Sequence, residues 1–170
     1  MSGGTGTSGG VDVELVPVDD RSWPVLERLV QLERHDLSEV TGELPDDDGG
    51  FADRRIERWR SEPGFEALLV LHDGLPAGFV LTRPFDDGSS FVHSFFVMRG
   101  LRRLGVGRRA ALDVLRSRPG RWSISFLEEN PGASPFWREV VREVAGPAYE
   151  ESRRTAPDGR EFTFLVVDVP

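Results

Sequence analysis

The chain has 170 residues, 29 acidic against 21 basic, a formal net charge of −8 and no cysteine. That length suits one domain with a core of its own, and the missing thiols exclude disulfides and thiolate metal sites. The acidic balance argues against a nucleic-acid binder, because a phosphate backbone would be repelled by most of this surface, and favours a small cationic partner.

No run reaches the roughly 18 apolar residues of a membrane span, and no signal-peptide pattern precedes Val11. A cytoplasmic protein without membrane contact is therefore expected. Every basic residue is arginine and isoleucine occurs only at Ile56 and Ile124, a bias that GC-rich codon usage explains without a functional role.

Residues 1–10 have the Gly/Ser/Thr composition of a linker and are expected to form a disordered tail, leaving 11–170 as a single domain. Residues 11–18 begin with the apolar and acidic alternation of a half-buried strand. Ser22 is positioned to cap a helix in which Val25, Leu29 and Leu32 repeat at helical spacing, with Leu26 and Val30 widening the stripe and Pro24 in the first turn. The Pro45 and aspartate-rich stretch at 41–50 reads as a loop, and 51–60 as a short charged helix.

Strands are predicted at 66–72 and 77–83 around the turn Asp73-Gly74, and at 91–98 after Asp86-Asp87-Gly88. A helix over 105–117 ends at Pro119-Gly120. A strand over 122–127 follows, and then a helix opened by residues 131–135 with an apolar stripe of Phe136, Val140 and Val141. Residues 146–152 and 161–169 read as a closing β pair about Asp158-Gly159. The order is β-α-α-β-β-β-α-β-α-β-β.

The segment 95–108 joins an apolar strand to a glycine-opened helix through a loop bearing Arg99, Arg102 and Arg103. Amides at a helix start lack intrahelical partners and sit at the positive end of the helix dipole, and glycines let a phosphate approach them. The pattern is that of a polyphosphate cradle. Gly105-x-Gly107-x-x-Ala110, with Glu128 following, also satisfies a dinucleotide fingerprint. Seven residues separate Val97 from Gly105, however, and too little chain remains for the crossovers of a Rossmann sheet. No lysine exists to complete a P-loop.

That element order, with Arg102-x-x-Gly105-x-Gly107 beginning five residues after Val97 and with Asn130, Ala133 and Phe136-Trp137 downstream, resembles the GNAT superfamily of acyl-CoA-dependent N-acyltransferases. The stretch 95–137 looks like a little-characterised bacterial subgroup of predicted acetyltransferases. The resemblance implies an α/β (α+β) GNAT fold with a mixed sheet of about seven strands, splayed between the fourth and fifth. It implies acetyl-CoA as co-substrate, no metal, a small-molecule amine as acceptor and a possible homodimer.

By the same resemblance, backbone groups at Phe96, Val97 and Met98 would hold the pantetheine arm, and the Val97 N–H would face the thioester carbonyl. Amides of Arg103, Leu104, Gly105, Val106, Gly107 and Arg108 would hold the pyrophosphate, with charge from Arg102 and Arg103. Asn130 would meet the pantetheine, and Phe136 and Trp137 would flank the thiol.

For the proton of the attacking amine, His93 is the candidate base, four residues before Val97 and with a reference pKa of about 6.5. Ser94 stands beside it, where the subgroup more often carries an acid. Trp137 occupies the position at which many relatives carry a tyrosine acid, and Tyr149, the one tyrosine, is predicted on the sixth strand. His35, Asp36 and Glu39, at the end of the first helix, are expected with Ser94 to line the acceptor site, the acids attracting a cationic amine. His35, His72 and His93 show no metal-ligand spacing, and His72 is expected in a hairpin turn. An alternative reading is a GNAT-fold domain that binds acyl-CoA as a sensor with weak turnover.

Overall fold

The computed structural model describes residues 10–52 and 54–170, so residues 1–9 of the tail expected at 1–10 lie outside the described residues. Seven strands, β1 (Val13–Pro17), β2 (Glu66–His72), β3 (Leu75–Pro84), β4 (Ser90–Val97), β5 (Gly120–Leu127), β6 (Tyr149–Thr155) and β7 (Glu161–Val169), form one sheet ordered β1-β2-β3-β4-β5-β7-β6. All neighbours are antiparallel except β4 and β5, which are parallel. Among the described residues the α-helices are α1 (Trp23–Thr41), α2 (Arg54–Ser61), α3 (Val106–Arg116) and α4 (Ala133–Ala145).

Period-2 alternation divides the core between the two sheet faces. Val70, Val80, Trp122, Ile124, Leu165 and Val167 point to the side covered by α3 and α4. Leu69, Phe79, Leu81 and Phe96 point to the opposite side, where α1 and α2 bring Leu26, Leu29, Val30 and Trp59. Helices on both faces of one sheet give the expected GNAT architecture. No helix among the described residues is long and apolar enough to cross a membrane.

The β2–β3 turn is built as read, with Asp73 and Gly74 both at positive φ. His72 is not in that turn: it ends β2, its Nδ1 2.7 Å from the Asp12 carbonyl. At the start of α1 the Ser22 hydroxyl does not cap the helix but donates to Asp19 (2.8 Å), whose carboxylate accepts the Ser22 amide (2.8 Å). Strand β6 begins three residues later than the sequence pattern suggests, because Gly146 terminates α4 with a positive φ and Pro147 follows it.

Two features of β4 create the site. Its pairing to β5 covers only Ser90↔Trp122, Phe91↔Ser123 and Val92↔Ile124, after which the two strands part. Its pairing to β3 slips by one residue, from Thr82↔Val92 to Leu81↔Ser94, so that His93 has no opposite number. This is a β-bulge, and it puts two adjacent side chains on one face. Val92 belongs to the α3/α4 core, whereas His93 meets rings of the α1/α2 side and Ser94 faces α1.

Candidate active site

Beyond the bulge, the Met98 amide donates to the Ala77 carbonyl on β3 (2.8 Å). Antiparallel alternation then commits Phe96 and Met98 to β3 and turns the N–H and C=O of Phe95 and Val97 into the gap left by β5. Only Val97, of the three residues expected to hold a pantetheine arm, turns its backbone into that gap, and of its two polar groups the carbonyl already accepts from Arg102. Phe96 is a core side chain, 5% exposed, packed on Phe79. Gly78 permits the close approach of β3 and β4 at this point: a Cβ added there would lie 2.0 Å from the Phe96 carbonyl oxygen.

A single 3₁₀ turn, Arg99–Leu101, leads from β4 into the glycine loop. Arg103 (φ 65°) and Gly105 (φ 87°) are both left-handed, and α3 starts at Val106 with no side-chain cap. Its first amides, at Val106, Gly107 and Arg108, therefore have no partner within the helix, the Arg109 amide being bonded to the Gly105 carbonyl (2.9 Å). A Cβ at Gly107 would meet Val97 Cγ2 at 3.5 Å and Phe136 Cε2 at 3.6 Å. Gap, loop and α4 thus converge on one glycine.

The arginines of the loop are disposed differently from one another. Arg102 donates from Nε to the Val97 carbonyl (3.0 Å) and pairs through Nη2 with Asp36 on α1. Arg99 also pairs with Asp36 (3.2 Å) and with Glu39 (3.6 Å). Arg108 turns away to Glu143 on α4 (2.6 Å). Arg103 is exposed and has no ion pair among the described residues. Of the expected cationic contributors, Arg103 is the one not already engaged by a carboxylate.

Asn130 accepts the Gly132 amide on Oδ1 (3.2 Å) and shapes the approach to α4. Phe136 stacks on Phe95 with centroids 5.5 Å apart; Trp137, 5% exposed, stands edge-on to both at 5.1 and 5.0 Å. Trp137 therefore backs Phe136 from within the core, while the half-buried Phe136 faces Gly107 and the gap.

On the opposite face, His93 is walled edge-on by Phe65 (5.4 Å), Phe91 (5.6 Å) and Trp59 (5.9 Å). Its Nδ1 is buried with no hydrogen-bond partner among the described residues. Burial, and next the Arg55 guanidinium, hold its pKa below the ordinary histidine value, with smaller contributions from Arg58 and Arg83. Both influences favour the neutral ring.

The side chain that sequence reasoning passed over is Glu33. It is 7% exposed, accepts the Ser94 hydroxyl at 2.6 Å and pairs with Arg55 at 3.5 Å. A carboxylate is thus present against β4 after all, supplied by α1 instead of by the strand. The sequence holds a signal for it, since Glu33 continues the buried stripe of Leu26, Leu29 and Val30 at helical spacing. His35 is largely exposed, while Asp36 and Glu39 are engaged with Arg99 and Arg102. The expected acceptor residues thus form two groups, Ser94 with Glu33 beneath α1 and Asp36 with Glu39 at its end. The turn between β6 and β7 reaches that end too, Arg160 donating to the Thr41 carbonyl (3.2 Å).

A parallel pair of strands parting beside an uncapped, glycine-opened helix is the arrangement expected of the GNAT fold. The Acetyltransferase (GNAT) family model matches residues 26–140, and this chain belongs to that family. An acetyltransferase from Thermus thermophilus is similar in fold, with TM-score 0.69, 17% identity, and 92% of this chain and 97% of that one covered. So is a GNAT family acetyltransferase from Elizabethkingia anophelis solved with acetyl-CoA bound, with TM-score 0.63, 11% identity, and 92% and 98% covered. A spermidine N-acetyltransferase from Vibrio cholerae, in complex with CoA and spermine, has TM-score 0.65, 10% identity, and 92% and 95% covered. No curated protein matches the sequence.

Proposed function

We propose that this chain is a cytoplasmic N-acetyltransferase that uses acetyl-CoA to acetylate a primary amine of a small-molecule acceptor. The observation that carries this reading is the gap beside β4. Val97 turns its backbone into it, and Gly107, at an uncapped helix start, lies against both Val97 and Phe136. The residues present fit the donor. The free amides of Val106, Gly107 and Arg108, with the charge of Arg103, suit a pyrophosphate, Val97 suits an extended arm, and Phe136 borders the gap.

Bound acetyl-CoA supplies a thioester open to attack by a neutral amine. The chain's part is to place an N–H where negative charge grows on the carbonyl oxygen, which is the role read for Val97, and to accept the amine proton. Four strand residues, about 13 Å at roughly 3.3 Å each, separate Val97 from His93. His93 therefore acts as base through ordered water, with neutrality at pH 7 favoured by its burial.

A net charge of −8 favours cationic acceptors at long range. Arg99 and Arg102 already balance Asp36 and Glu39 at close range, so that preference rests on the distant field alone. The test is CoA thiol release from acetyl-CoA across amino sugars, polyamines, amino acids and peptide N-termini. Steady amine-dependent release is expected; binding of acetyl-CoA with no release for any amine would overturn the proposal in favour of a sensor.

A further inference from the structure

The C-terminal half of α1 is tied to the end of β4 through one carboxylate and one guanidinium. Asp36 has 17% of its side chain accessible, and each of its oxygens holds an arginine from the segment that follows β4. Oδ1 accepts from Arg99 (3.2 Å) and Oδ2 from Arg102. His35, its neighbour, stands 3.8 Å from Oδ1 by Nδ1 and is largely exposed.

Arg102 carries this tie to the backbone. While Nη2 is held by Asp36, Nε donates to the Val97 carbonyl (3.0 Å), and the guanidinium lies 5.8 Å from the Phe96 ring centroid. A guanidinium is a rigid plane, so fixing one nitrogen on a carboxylate sets the direction in which the others point. The peptide that joins Val97 to Met98 is then gripped at both poles, its N–H by the Ala77 carbonyl on β3 (2.8 Å) and its C=O by Arg102. β5 leaves β4 after Val92, so the second grip comes from a side chain where a paired strand would otherwise give it. Arg102 thus has a task other than the pyrophosphate, and Asp36 a task other than attracting an amine.

We infer that Asp36 is a positioning residue for the transfer site: through Arg102 it fixes the Val97–Met98 peptide, and with it the direction of the Val97 N–H beside the thioester. The catalytic consequence rests on the N-acetyltransferase reading; the clamp on Val97 does not. In the free protein the clamp is read by NMR from the Val97 carbonyl carbon, whose resonance should move upfield in Asp36→Asn as its hydrogen bond weakens. In amine-dependent CoA release, Asp36→Asn and Arg102→Gln should each lower kcat about tenfold, less than the loss of an oxyanion donor itself, with KM for the amine unchanged. The double variant should be no slower than the slower single one, because both changes break the same chain of contacts. Calorimetric affinity for acetyl-CoA should be unaltered in Asp36→Asn.

A Val97 resonance that does not move would remove the clamp. Single effects that multiply to about a hundredfold, or a raised KM for the amine at full kcat, would return Asp36 to the acceptor site. Tighter acetyl-CoA binding by Asp36→Asn would give Arg102 back to the pyrophosphate. Each of these overturns the inference. A shifted Val97 resonance in a chain that releases no CoA with any amine would keep the clamp and count against the transferase reading. Amine-dependent release with kcat unchanged in Asp36→Asn would do the reverse.

Discussion

Glu33 and Ser94 form a buried contact between α1 and β4, and their coupling can be worked out from the geometry. The hydroxyl donates to the carboxylate at 2.6 Å with both residues under 9% exposed, so neither group can exchange its partner for water. A hydrogen bond to a charged group contributes about 1.5–3 kcal/mol, and stranding a buried acceptor costs about as much. Arg55 is half-exposed, with 36% of its side chain accessible, so water can replace Glu33 for it, and its loss adds little. Ser94→Ala, Glu33→Ala and the double variant should therefore give a coupling of about 2 kcal/mol in a double-mutant cycle. With a urea m-value of about 2 kcal/mol/M, Ser94→Ala alone should lower the unfolding midpoint by about 1 M. Two single effects that simply add, with a coupling below about 0.5 kcal/mol, would refute the argument.

Three further outcomes are expected. In an NMR titration the His93 ring should protonate below the ordinary value of about 6.5, because burial and Arg55 favour its neutral form. The folded state then binds fewer protons than the unfolded one in that range, so this contribution to stability is complete above pH 6.5 or so and is lost as pH falls through the folded value. His93→Phe should flatten that acid slope, and an unshifted titration would contradict the account. Gly78→Ala should lose several kcal/mol, since the 2.0 Å approach to the Phe96 carbonyl demands that β3 and β4 separate; near-native thermal stability would disprove it. Val97→Pro removes an N–H that β3 does not use. It should leave circular dichroism intact while lowering kcat by about a hundredfold or more, and full activity would remove Val97 from the chemistry.

The elements were legible in the sequence where local chemistry decides them. The range predicted for β7 is the one observed, and the Asp73-Gly74 hairpin falls where its turn residues demand. The strand–loop–helix run around Gly105 and Gly107 could be placed because glycine spacing reports backbone shape directly. What could not be read were events that need a second strand or a distant partner. A bulge at His93 exists only as a mismatch with Leu81 and Thr82, and in isolation residues 91–98 alternate like any strand.

The arginines illustrate the same limit. Arg102 and Arg108 look equivalent in sequence, yet one meets Asp36 from 66 residues away and the other meets Glu143. Side-chain length lets each reach several acids, and only tertiary placement selects among them. Glu33 was visible as an acid in an apolar stripe, but its meaning depended on finding Ser94 across the interface.

The pairing of β4 to β3 is complete on both sides of His93 without using His93 itself. A strand shortened by that one residue would keep every cross-strand partner and lose only the imidazole with its orphaned nitrogen. The ladder thus sets no requirement on what stands at this position, and its occupant answers to the three rings and the charges that face it. Replacing it should therefore alter chemistry more freely than architecture, which makes position 93 the natural place to begin redesigning what this protein accepts.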